Sequence, residues 1–119
     1  MQTMQQQRAR YALQQVETAR QQGVDSREYK SYASGLSAMI QMNGLGQMAA
    51  FYYSQGGTHR QLYDLLSGWL TQPGQPYAGL NDLLQGITRR NMRTYLLAQA
   101  EALALLDWVK KFAKAYMED

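Results

Sequence analysis

The sequence predicts an all-α fold: a compact single-domain bundle of about five to six helices with a long central C-terminal helix. Three observations carry this. Apolar residues recur at spacings of three and four along nearly the whole chain, and no stretch alternates apolar with polar side chains convincingly. Glycine and polar capping residues also punctuate the periodic runs at short intervals, which leaves room only for short connections.

The first helix is expected from about Gln5 to Gln21. Ala9, Ala12, Leu13, Val16 and Ala19 fall on one side, and glutamines, good helix formers, solvate the other. Gly23 supplies the left-handed residue that ends it. Asp25 is an N-cap with Glu28 completing a capping box, and the second helix follows with Tyr29, Tyr32, Ala33, Leu36, Met39, Ile40 and Asn43 on its inner face. Asn43-Gly44 is read as a helix end with Gly44 left-handed, because the flanks are helical in period; a third helix then covers about Gly46 to Ser54 and stops at Gln55-Gly56-Gly57. Thr58 and Gln61 form the expected capping box of the next helix, which points Leu62, Leu65, Leu66, Trp69 and Leu70 inward. The segment from Thr71 to Pro76 is the one clear loop. A short helix is expected from about Leu80 to Gln85, and Thr88 is the expected cap of a final helix reaching about Tyr116. Apolar side chains cover nearly the whole circumference of that helix between Leu96 and Val109, the pattern of a central helix rather than a surface one.

The length of 119 residues suits one domain spanning 1–119. Cysteine is absent, which excludes disulfides and thiolate metal sites. The opening Met1-Gln2-Thr3-Met4-Gln5-Gln6-Gln7 has no apolar signal region, and no run approaches the roughly 18 apolar residues of a membrane span. A cytoplasmic protein with no membrane contact is the expectation. Convergent polar groups for catalysis are few. His59 has no second histidine with which to build a metal site and is expected in a surface or cap role. The glycines near 44–46 and 56–57 lack the Gly-Lys-Ser or Gly-Lys-Thr of a phosphate loop. No catalytic residue, metal or cofactor is expected. The nine tyrosines are mostly assigned to packing; Tyr52, Tyr53 and Tyr77, beside helix ends or loops, are the better candidates for partner contacts.

The formal charge of +3 is unevenly placed. Arg89, Arg90 and Arg93 cluster with no acid between Asp82 and Glu101, and Lys110, Lys111 and Lys114 close the final helix. On a straight helix Arg89, Arg93 and the lysines fall on one side, with Leu96, Ala100 and Leu103 between them. That middle is expected to be buried, leaving two basic ends about 30 Å apart. Arg8, on the first helix, could join either end. Such clusters can bind the phosphates of a nucleic acid, and they can equally be solvated helix ends, with Lys110 and Lys111 favouring the C-terminal dipole.

Asn43-Gly44-Leu45, Gln47, Ala50-Phe51 and the ending Tyr95, Glu101-Ala102-Leu103, Leu106, Trp108, Lys110-Lys111-Phe112-Ala113 resemble the small subunit of the Cmr complex, the type III-B CRISPR ribonucleoprotein effector. Gln7-Arg8-Ala9 with Ala12 and Leu13, and the segment from Tyr29 to Ile40, are similar as well, so the likeness covers most of the chain. The resemblance implies an all-helical, non-catalytic building block of antiviral defence. Copies of it would stack into a minor filament against the large polymerase-nuclease subunit and the repeated backbone subunits, helping to hold guide RNA paired with target RNA. It also implies an RNA-contacting role for Lys110, Lys111 and Arg8, which match basic positions of the family motif. Arg89, Arg90, Arg93 and Lys114 stand as RNA-binding candidates on charge and geometry alone. The competing reading is a helical protein–protein adaptor with solvating basic ends. A small DNA-binding regulator is weaker, since no helix-turn-helix pair of suitable spacing stands out.

Overall fold

The computed structural model describes residues 2–118, and every described element is helical: α1 (Met4–Gln21), α2 (Ser26–Gln55), α3 (Gly57–Leu70), α4 (Leu83–Arg89) and α5 (Met92–Tyr116). The expected bundle is present. Helix α1 opens on a capping box that the sequence reading missed: the Thr3 hydroxyl accepts from the Gln6 amide while the Gln6 side chain takes the Thr3 amide. It closes at Gly23, φ 78°, where the amides of Gly23 and Val24 reach back to the carbonyls of Arg20 and Ala19. Asp25 caps α2 as expected, accepting from the Glu28 amide at 3.0 Å.

Gly44 breaks α2 where expected, but not in the expected conformation. Its φ of 88° and ψ of 163° throw the chain into an extended step rather than a left-handed turn, and two helical segments meet there. The amides that begin the second segment are capped from α5: Leu45 donates to Gln99 Oε1 at 2.9 Å and Gly46 to Tyr95 Oη at 2.8 Å. A side chain at Gly44 would put its Cβ 3.0 Å from that same tyrosine oxygen.

Three expected boundaries need correction. Helix α3 starts from Gly56, which has no side-chain cap; Thr58 and Gln61 lie inside the helix, and Gln61 Nε2 instead donates to Gln22 Oε1. The short helix runs from Leu83, capped by Asp82, and not from Leu80. It also extends through Thr88, whose hydroxyl bonds back to the Leu84 carbonyl at 3.0 Å; the final helix is capped by Asn91, which accepts from Thr94. Thr, Asp and Asn all cap well, so three candidates close together could not be ranked by local chemistry.

Helix α5 packs against α1 and α2, and α3 packs on α2 with a smaller contact to α5. Ala102, Leu105, Leu106 and Val109 are fully buried, in the same core as Ala12, Val16, Leu36 and Ile40. The whole chain measures 40 × 37 × 23 Å. A thickness of 23 Å admits only two layers of helices about 10–12 Å across, so every long helix keeps a face in solvent. That overturns the expectation of an all-round buried final helix. Met92, Leu96 and Leu97 are 67%, 56% and 58% exposed.

The tyrosine excess is largely structural, because several hydroxyls tie one helix, or one segment of the broken α2, to the backbone of another. Tyr11 donates to the Leu65 carbonyl and Tyr52 to that of Tyr32, both at 2.7 Å, while Tyr63 accepts from the Leu84 amide. Tyr52 and Tyr77 are therefore not the partner contacts expected of them: they are 4% and 0% exposed. Tyr77 folds the loop after α3 into the core, its amide bonded to the Leu70 carbonyl and its ring filling the space a side chain at Gly86 would need. Tyr53 remains exposed, with the Arg60 guanidinium 3.8 Å above its ring. His59 stacks on Tyr32 at 3.9 Å instead of capping a helix.

Candidate nucleic-acid interface

The basic residues singled out in the sequence separate into three environments. Arg8 is internal. Its Nε and one terminal nitrogen meet both oxygens of Glu101 at 2.6 and 2.9 Å, and the side chains are only 18% and 12% exposed. Trp69 Nε1 donates to the same carboxylate at 2.9 Å, so Glu101 joins α1, α3 and α5 at one point. The bidentate hydrogen bonds to Glu101 hold the arginine charged, raising its pKa against the opposing effect of burial. A guanidinium so engaged has its fork occupied, which distinguishes Arg8 from the other candidates.

Lys110, Lys111 and Lys114 come together with two residues that the sequence reading did not include. Lys30 and Ser34, on adjacent turns of α2, face the three lysines of α5 across a cleft of about 260 Å³. The cleft lies where α2 and α5 pack together, with Leu36, Val109 and Ala113 buried in the shared core. Lys30 Nζ also donates to the Met117 carbonyl at 3.3 Å, which ties the end of α5 to α2. Lys110 is loosely paired with Asp107 at 3.8 Å, one turn away on the same helix. Lys111 and Lys114 are exposed. Lys111 and Lys114 are the exposed ammonium groups of this cleft, beside Lys30 and Lys110, which are already engaged; compact ammonium donors suit phosphate oxygens. In the sequence Lys30 belongs with the N-terminal charges; nothing local says that it faces residues eighty positions later.

The arginines form no such cleft. Arg89 is the last residue of α4, Arg90 is an extended linking residue, and Arg93 sits in the first turn of α5. Only Arg93 is on the final helix, which corrects the expectation that Arg89 shares its axis. All three are exposed. They and the lysines occupy opposite ends of a 25-residue helix, whose length is about 37 Å.

Among the described residues, no group of three His, Cys, Asp or Glu is placed to hold a metal ion, and no helix is long and apolar enough to cross a membrane.

The chain is similar in sequence and in fold to proteins already known. A protein described as CRISPR system Cmr subunit Cmr5, from Thermus thermophilus, is 30% identical over 92 residues, 77% of each chain. The crystal structure of a CRISPR-associated Cmr5 family protein, also from Thermus thermophilus, superposes with a TM-score of 0.82 at 31% identity, covering 98% of this chain and all of that one. The sequence profile of the CRISPR-associated protein family Cas_Cmr5 matches residues 4–116, from the first turn of α1 to the last of α5. The chain belongs to that family.

Proposed function

We propose that the protein is a non-catalytic structural subunit of a Cmr-type, type III-B CRISPR effector, working in the cytoplasm. In this reading copies stack as a minor filament beside the large polymerase-nuclease subunit and the backbone subunits. Each copy helps hold guide RNA paired with target RNA through Lys110, Lys111 and Lys114. The observation that carries the RNA contact is the cleft in which those lysines meet Lys30 and Ser34 from another helix. Lys30 is engaged with the Met117 carbonyl at the end of α5, so the support comes from Lys111 and Lys114, which stay exposed at the mouth of the cleft. One copy can neutralise only a few phosphates, so a single subunit binds weakly and without sequence preference, and stacked copies gain by multivalency. Arg8 supports the reading indirectly, by fixing α1 to α5.

The test is the triple substitution K110E/K111E/K114E in the assembled complex. The helical fold should stand, because exposed changes shift stability little; reversed interaction with the helix dipole costs about 0.3–1 kcal/mol per charge. Target-RNA retention should fall, and the salt dependence should flatten by about 2–3 per copy in the slope of log affinity against log salt, from three lost phosphate contacts. A mutant that assembles and retains RNA like the parent across the salt series makes the lysines solvating groups, and the adaptor reading then leads.

A further inference from the structure

The outward face of α5 is neither core nor a basic track. Arg93, Leu96, Leu97 and Ala100 lie within about 100° of one another around the helix axis, and Lys111 and Lys114 share that sector roughly 30 Å further along. The leucines between the two basic ends are more than half exposed. A phosphate backbone gains nothing from crossing leucines, whereas an apolar centre with a charged rim is the anatomy of a protein contact. Helix stability does not account for the arginine end either. Arg93 occupies the first turn of α5, where the helix dipole disfavours a cation.

We propose that this face docks a different protein surface, apolar opposite Leu96 and Leu97 and carboxylate-bearing opposite Arg89, Arg90 and Arg93. Charge decides against a second copy presenting the same face. An antiparallel pairing would set Arg93 of one copy against the lysine end of the other, and a parallel pairing would set like on like; each places cations opposite cations. Asp107, the acid of this face, would oppose the leucines in the first arrangement and itself in the second. The arginines thus select an acidic protein partner, and RNA is left to the lysine cleft.

The proposal rests on the subunit reading above, and its test separates the two. A photo-cross-linking residue replaces Leu97 in one variant and Ser34, at the lysine cleft, in another; each is irradiated in the complete effector complex and the products are identified by mass spectrometry. The Leu97 probe is expected to capture an Asp- and Glu-containing segment of another subunit, and the Ser34 probe RNA. Capture of RNA at Leu97, capture of the same face of a second copy, or no product at Leu97 each overturns the docking proposal. Protein capture at Leu97 without RNA capture at Ser34 leaves it standing and removes only the RNA reading. As a second readout, R89E/R90E/R93E should enter the ribonuclease-treated complex about tenfold less well than the parent, because carboxylates would then face carboxylates. Unchanged entry, with circular dichroism showing an intact fold, overturns the acidic character of the partner.

Discussion

Glu101 is the residue on which most converges. It accepts from Arg8 through two bonds and from Trp69 through a third. Glu101→Gln would keep the shape but leave the guanidinium with a neutral, half-matched partner in a mostly buried place. A loss of about 2–4 kcal/mol in urea unfolding is expected, somewhat below the cost for a fully buried pair because these side chains keep 18% and 12% of their exposure. Arg8→Met should also destabilise the fold, by less, since it removes the buried charge together with its bonds, and RNA retention by folded protein should be unaffected. The buried tyrosines make a second prediction at this scale. Burial pushes the Tyr11 and Tyr52 hydroxyls up to about 12, against 10.0 for a free side chain. The unfolded chain therefore releases these protons first, so stability that is intact below pH 10 should drain away as the pH climbs toward 12. Melting temperatures measured across that window, alongside phenolate absorbance, would show unfolding and ionisation together; a flat profile through pH 11 would contradict the buried, bonded hydroxyls.

Among the elements, helix existence was legible because periodicity is a local property, while the identity of the caps was not always so. Asp25 was readable from Gly23 before it and Glu28 three residues after it. Thr88 and Asn91 competed for the next helix start, and Thr88 lost because α4 continued through it. Asn91→Ala should cost about 1 kcal/mol, the usual worth of such a cap, whereas Thr88→Ala should cost less. The Gly44 break was readable as a break, but its shape was set by Tyr95 and Gln99, some fifty residues away. Gly44→Ala forces a Cβ into a region of φ and ψ that is essentially glycine's own, and toward the Tyr95 hydroxyl. A destabilisation of about 2–3 kcal/mol is expected by calorimetry. The candidate site divides in the same way. The lysines of α5 were visible as a charge cluster, but Lys30 joined them only through packing. The apolar surround of α5 told how hydrophobic the helix is, not which side its neighbours would leave uncovered.

Taken whole, the molecule is a slab two helices deep, and its first and last helices are packed together. The only helix with extensive contacts to α1 is α5, so the N-terminal helix is made roughly seventy residues before its partner. At synthesis rates of about 5–20 residues per second, α1 waits several seconds, and longer while α5 clears the ribosome. Its sequence is suited to that delay. Only Ala12, Val16 and Ala19 are buried in the finished fold, and glutamines cover the rest, so the waiting segment offers chaperones and other nascent chains little to grip. Its small apolar face also gives it little stability of its own. The Arg8–Glu101 pair and the stacking of α1 on α5 can therefore form only once α5 is made, and a ribosome stalled before Met92 would carry a chain whose leading helix lacks its main partner and keeps only the Tyr11 contact with α3.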